Sequence, residues 1–310
     1  SGYLARAAFI MDKVMHRIGL HGKSFIPLIM GFGCNVPAIM ATRTIESRSS
    51  RLITLLILPF MSCSARLPIY ILIAGTFFPH HAGMMLFVLY VLGVGVAVVT
   101  ARHIMRRFMF PVDETPFVME LPPYRVPTLR TTLIHMWDKC AQYLRKMGGL
   151  ILVASIVVWF LSYYPTPEHT NEPSENRYEN SYLGRVGKFC EPIFEPLGLN
   201  WKSGVSLLSG VAAKEIVVST MGVLYADEAG AADDDDTATL SARLTASGDF
   251  DTASAFAFLV FTLLYFPCLA TVAAIASEAG WRWAAASAVY NTAMAWLLSW
   301  GAYHLFMLFL

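Results

Sequence analysis

Leu58-Pro59-Phe60-Met61-Ser62-Cys63-Ser64-Ala65-Arg66-Leu67-Pro68 lies inside an apolar run, Leu52 to Phe78, whose only charged residue is Arg66. Two prolines bracket a thiol, two hydroxyls and an arginine at what the run length makes membrane depth. Each proline lacks an N–H and crowds the carbonyl four residues earlier, so a helix here is broken or kinked. With helical flanks, Pro59 releases the carbonyl of Leu55 and Pro68 that of Ser64. Lipid cannot satisfy such groups, so unwound backbone at this depth has to be buried in protein or line a polar cavity. Discontinuous helices of this kind build ion sites in transporters. The stretch therefore predicts a permeation device.

The composition agrees. Of 310 residues, 56% are hydrophobic and 15% charged, with mean hydropathy +0.52. Soluble domains average about a quarter charged residues, so an integral membrane protein is expected. A net charge of +1 without a basic stripe gives no sign of nucleic-acid binding. Five cysteines, three of them in apolar segments, argue against a disulfide framework. Ser1 to Arg6 lacks the charged-then-apolar order of a signal peptide. The missing start methionine suggests a piece of a longer chain.

Working outward, about 20 apolar residues cross a bilayer. Ala82 to Ala101, Gly148 to Tyr164, Thr252 to Ser277 and Trp283 to Leu310 carry no Lys, Arg, Asp or Glu. Ser203 to Ala226 is interrupted only by Lys214 and Glu215, and Phe25 to Thr42 by glycines, prolines and Asn35. The last suits a half-helix better than a straight span. The connection Arg102 to Met147 is rich in Arg and Lys, and Arg43, Arg48 and Arg51 mark an earlier loop. Both are expected on the cytoplasmic side. Thr128 to Lys146 predicts an amphipathic surface helix leading into the next span. Asp233-Asp234-Asp235-Asp236 sits in a polar stretch that reads as a solvated acidic loop.

A weak internal repeat runs through these pieces. Leu55 to Cys63 resembles Phe261 to Cys268. Upstream of each lies a glycine-containing apolar segment with a polar interruption, Gly31-Phe32-Gly33-Cys34-Asn35-Val36-Pro37 and Gly210-Val211-Ala212-Ala213-Lys214-Glu215. Interrupted segments in corresponding positions of two halves are the best sequence pointer to a transporter site.

The candidate ligands fall on those interruptions. A lone cysteine in an apolar helix is usually a small packing residue. Cys34, Cys63 and Cys268 share a broken-helix context, which brings a functional reading level with the packing one. Thiolate favours softer or borderline metals over Mg or Ca. The hydroxyls of Ser62 and Ser64 and the amide of Asn35 add harder oxygens. Glu215, a carboxylate at membrane depth, is costly unless paired or used. Lys214 and Arg66 are its candidate ion-pair partners or gating charges. Glu278, at a span end, is expected at the interface. His21-Gly22-Lys23-Ser24 ends like a phosphate-binding loop, but Arg17 replaces the leading glycine and no strand precedes it.

These residues carry a resemblance. Ser1 to Phe9, followed by Gly31-Phe32-Gly33-Cys34-Asn35-Val36-Pro37 and on to Thr44, resembles the ferrous iron transport protein B (FeoB) family. Pro59 to Pro68 is similar to that family's first Gate motif, and Gly210 to Glu215 with Pro267-Cys268-Leu269-Ala270-Thr271 to its second. The resemblance implies an all-α, polytopic membrane helix bundle with two broken-helix repeats that carries Fe2+ across the bacterial inner membrane. By matching position, Cys34, Cys63 and Cys268 line the ion path, with Glu215 in the second Gate. It implies residues 1–100 as the first Gate repeat with its spans and 101–147 as the cytoplasmic connection. Residues 148–310 then hold the second repeat, interrupted by polar loops at 165–200 and 227–251.

The family also implies an N-terminal GTPase domain, in cis or on a separate chain. GTP would act only through that domain, which this sequence lacks, so no enzymatic activity is expected here. Small cytosolic Feo accessory proteins and self-association into a homo-oligomer follow from the same resemblance. Two other readings stay open from the residues: a Gate-domain transporter of nucleosides or another organic solute, and a membrane scaffold that uses its buried charges only as ion pairs.

Overall fold

The computed structural model describes residues 3–103, 128–164, 181–225 and 237–309. Every regular element among them is helical. Arg106, Arg107 and Arg125 of the basic connection, residues 165–180 and the Asp233–Asp236 run lie outside the described residues. In chain order the helices are α1 (Tyr3–Ile18), α2 (Phe25–Gly31), α3 (Asn35–Ala41), α4 (Arg48–Ile57), α5 (Leu67–Phe77), α6 (Ala82–Val99) and α7 (Leu129–Tyr163). They continue as α8 (Tyr182–Phe194), α9 (Trp201–Ser209), α10 (Ile216–Leu224), α11 (Thr237–Ser247), α12 (Thr252–Leu264), α13 (Leu269–Ala279) and α14 (Trp281–Phe309).

The expected spans sort into two kinds. Ala82 to Ala101 is one straight helix, and Thr128 to Tyr164 merges the surface helix and the following span into the single α7. The other runs are interrupted where proline, glycine or polar residues enter. Leu52 to Phe78 becomes α4 and α5, joined through the 3-10 turns Leu58–Phe60 and Ser64–Arg66. Ser203 to Ala226 becomes α9 and α10, and Thr252 to Ser277 becomes α12 and α13. At nine residues each, α9 and α10 are about 14 Å long, half the hydrocarbon thickness.

Burial follows the interruptions. In the segments Arg48–Phe77 and Thr252–Ala279, both broken, 72% and 78% of the most apolar window is buried, against 17% in the unbroken Ala82–His103. The segments with unwound backbone are the ones shielded by protein, as the lack of hydrogen-bonding partners in lipid requires. The straight helix presents Met84, Phe87 and Val91 outward.

The chain divides into two compact units. The first comprises Ser1–Ser64, Leu92–Leu150 and Ala270–Ser287. Within it α1 packs on α2 and on the turn Gly22–Ser24, and α2 packs on α3. Ser47 caps α4 by accepting from the Ser50 amide, and Thr54 Oγ1 reaches buried Ser24 Oγ at 2.9 Å. Glu278, at a span end, is 3% exposed at its side chain beneath the more exposed Arg43 and Arg51. Arg43 Nε donates to its two oxygens at 2.8 and 2.9 Å, and Arg51 Nη2 donates at 2.7 Å. A carboxylate withdrawn from water needs such partners. The His21–Ser24 stretch forms a capped turn, in which His21 Nδ1 accepts from the Lys23 amide and the Gly22 amide donates to Asp12.

The second unit comprises Ala65–Val91, Ile151–Leu269 and Ala288–Leu310. Here α5 packs against α11, α12 and α10, and α8 lies on α9. Asn200 caps α9, and Asp251 with Ser254 forms a capping box at the start of α12. Two side-chain bonds fix α14: Ser299 Oγ donates to the Ala257 carbonyl at 2.6 Å, and Trp296 Nε1 to that of Ile193 at 2.9 Å.

His21 precedes the spanning segments, and its pKa lies below the ordinary 6.5 chiefly because burial disfavours the imidazolium. Asp12 and Glu46 oppose this shift, while Lys23 and His16 add to it. Below that value the unfolded chain takes up a proton that the fold resists, so stability falls as pH drops through the interval. Thermal unfolding of the purified protein in micelles tests this. The melting temperature of His21→Gln is expected to fall less than that of the wild type between about pH 7 and pH 5. Parallel slopes would show that His21 carries no such linkage.

Candidate functional site

In the first repeat, α2 ends at Gly31 and the chain turns through Phe32 and Gly33 before Cys34 enters extended backbone, φ −150° and ψ 131°, ahead of α3. The second interruption, Met61 to Ser64, approaches this turn. The Ser64 amide donates to the Gly33 carbonyl at 3.2 Å, and Ser64 Oγ donates to the same oxygen at 2.9 Å. Cys34 adjoins the acceptor residue and Cys63 the donor residue, so these two hydrogen bonds bring the two thiol-bearing segments together. Both cysteines are half-buried and form no disulfide. Ser62 and Asn35 are buried, and Ser64 is exposed. With its nitrogen turned inward, the Asn35 amide reaches the carbonyls of Gly31 and Leu58 at 3.3 and 3.2 Å. That leaves Oδ1 as its acceptor.

The second repeat is built the same way. The turn after α9 runs from Gly210 to Glu215, and the break after α12 from Tyr265 to Cys268. The Leu269 amide donates to the Val211 carbonyl at 3.0 Å. As with Cys63 and Ser64, the donor amide belongs to the residue directly after the cysteine. Cys268 is half-buried.

The charged residues do not pair as expected. Lys214 is 3% exposed; its ammonium donates to the Phe266 carbonyl at 2.8 Å and stands 3.0 Å from the centroid of the Tyr265 ring. A cation on an aromatic face recovers part of its lost hydration, so Lys214 closes the unwound backbone of the break. Glu215 is exposed ahead of α10 and enters no ion pair among the described residues. The positive end of the α10 dipole favours a carboxylate there. Arg66 is 1% exposed, at the end of its 3-10 turn. The expected pairing of Glu215 with Lys214 or Arg66 is thus replaced by a lysine–carbonyl bond. Adjacent positions in a non-helical turn point to different surroundings, which the residue spacing did not reveal.

Among the described residues no group of three or more His, Cys, Asp and Glu is placed to hold a metal ion. The first repeat places Cys34 and Cys63 beside the Ser64 hydroxyl and the Gly33 carbonyl, and the second places Cys268 beside a Phe266 carbonyl that already accepts from Lys214.

Two glycines mark close approaches at the breaks, and the sequence shows them only as punctuation. A Cβ at Gly31 would stand 3.1 Å from Met61 Cβ and 3.2 Å from Leu58 Cδ2. One at Gly210 would collide with Val217 Cγ2 and the Tyr265 hydroxyl. Gly210→Ala is expected to destabilise the protein by about 1–3 kcal/mol, the usual cost of overpacking. Gly75→Ala adds a methyl that meets nothing within 4 Å and should be neutral to slightly stabilising, within about 1 kcal/mol. Thermal melts of the two variants in micelles check the contrast.

Known proteins resemble this chain in sequence. The Gate family, described as nucleoside recognition, matches residues 1–77 and 144–282, and the ferrous iron transport protein B C terminus matches 86–139. A Fe(2+) transport protein A/Fe(2+) transporter FeoB fusion protein of Porphyromonas gingivalis is 52% identical, over 100% of this chain and 41% of that protein. The Fe(2+) transporter FeoB of Campylobacter jejuni is 45% identical, over 90% of this chain and 46% of its own length. That of Methanocaldococcus jannaschii is 41% identical, over 96% and 44%. The chain thus spans less than half the length of these curated relatives. No solved structure matches it. With Gate matches over both repeats and the FeoB C-terminal region between them, this chain belongs to the FeoB family, as a multi-pass membrane protein with two broken-helix repeats.

Proposed function

We propose that this chain is the permeation part of a ferrous iron importer of the bacterial inner membrane. The observation that carries the reading is the recurrence, in both repeats, of a main-chain bond from the amide after a cysteine to a carbonyl in the other interruption. The names of the relatives supply the cargo. Fe2+ is borderline in softness, which suits a path offering thiol sulfur first and oxygen beside it.

In this reading Cys34 and Cys63 serve one station and Cys268 another. Ser62, Ser64, Asn35 Oδ1 and the carbonyls near them replace part of the ion's water. Glu215, being exposed, attracts the cation. Lys214 and Arg66, buried cations near the breaks, oppose a resting divalent ion until a thiol loses its proton. Full dehydration in low dielectric without such charge would be prohibitive. Residues 1–100 and 148–310 carry the two Gate repeats, and 101–147 connects them. GTP hydrolysis by a GTPase domain outside this chain, Feo accessory proteins and homo-oligomerisation complete the scheme. This chain itself transports and does not catalyse.

Radioactive Fe2+ flux into proteoliposomes holding the full-length protein tests the reading. Cys63→Ser and Cys268→Ser are each expected to lower flux by about tenfold, the scale of a perturbed metal site, at unchanged protein abundance. The Gate description makes an organic solute the rival cargo. Uptake of labelled nucleoside with no thiol dependence would favour that rival and overturn the iron assignment.

A further inference from the structure

Apart from the donor groups of the breaks, the first unit contains a half-open cavity of about 160 Å³. Its lining, which includes Met15, Ile18, Phe32, Met61, Val94 and Ala97, presents no polar surface. An aliphatic and aromatic cavity on this scale, roughly 150 Å³, stays dry and accepts apolar guests. Two of the lining residues neighbour the cysteines of the first repeat: Phe32 lies two positions before Cys34, and Met61 two before Cys63.

Two observations identify the occupant. The first is where the cavity opens. Its lining residues Ile29 and Val94 are 51% and 39% exposed. Val94 lies on α6, the membrane-length helix that leaves most of its surface uncovered. The cavity thus opens beside a helix long and apolar enough to cross a membrane, and acyl chains are the abundant apolar groups around such a helix.

The second is the charge at one end of it. Arg17 lies in sequence between the lining residues Met15 and Ile18, and Arg102 lies one turn past Val98, which also lines the cavity. Arg102 Nη1 donates to the Arg17 carbonyl at 3.0 Å, which ties the ends of α1 and α6 together. Both arginines are exposed, as are Lys13, His16 and His103 on the same helix ends. Asp12 on this end is engaged with the Gly22 amide and lies 3.4 Å from His16 Nε2. Clustered guanidinium groups at a membrane boundary suit phosphate oxygens.

We propose that this cavity and its basic end form a site for an anionic phospholipid. One acyl chain fills the space against Phe32 and Met61, and the phosphate meets Arg17 and Arg102. An occupied site props the first broken segment from behind, so bilayer composition acts on that repeat. The proposal does not depend on the identity of the transported solute.

Native mass spectrometry of the full-length protein, titrated in detergent with phosphatidylglycerol or with phosphatidylcholine of the same chains, tests it. The wild type is expected to retain phosphatidylglycerol about tenfold more tightly, as two cations at the surface allow. The double variant Arg17→Gln/Arg102→Gln should lose that preference. Val94→Trp, placed at the mouth so that folding is spared, should weaken both lipids about tenfold by blocking the cavity. Ala97→Phe repeats the block from the inside. Equal retention of the two lipids by the wild type overturns the proposal. So does a headgroup preference that survives the arginine variants. Loss of preference without any effect of Val94→Trp or Ala97→Phe reduces the site to a surface patch and equally overturns it.

Discussion

A polypeptide that unwinds at membrane depth has carbonyls and amides with nowhere to turn but the protein itself. In this chain the demand is met by pairing one interruption with another. The amide after Cys63 serves Gly33, and the amide after Cys268 serves Val211. Side chains supply what remains. Lys214 closes the Phe266 carbonyl, and the Asn35 amide lies within reach of Gly31 and Leu58. The close approach these bonds require accounts for glycine at 31 and 210, where no side chain could be accommodated without displacing Met61 or Tyr265.

The same demand arranges the helices. Segments containing an interruption are shielded over most of their apolar length, and α6, which has no proline or polar break, remains on the outside. Hydrophobicity alone would not produce that order, since the uninterrupted segment is the most hydropathic of the three. Backbone satisfaction, and not apolar content, decides which helix is surrounded by protein.

Much of this was legible in the residues. Prolines 59 and 68, the glycines and the polar insertions located each interruption, and their repetition announced two related halves. The FeoB resemblance rested on the same strings. What could not be read was which polar side chain serves which group. Lys214 and Glu215 are neighbours in sequence, yet one is buried on Tyr265 and the other exposed, because the turn between α9 and α10 has no helical period to predict their directions. The partners of Glu278, Arg43 and Arg51, lie more than 220 positions away, beyond the reach of any local pattern. The apolar cavity is formed by pieces of α1, α2, α4 and α6 together with the intervening turns, and no local pattern encodes their convergence.

The bond that recurs in the two repeats is made by main-chain atoms, so it places almost no demand on residue identity. Serine and leucine donate equally well, and glycine and valine accept equally well. The two halves are therefore at liberty to diverge at these positions while their construction stays the same. Kinship between them is to be sought in the placement of peptide groups around each cysteine, where alignment of side chains alone would register only a faint trace of duplication.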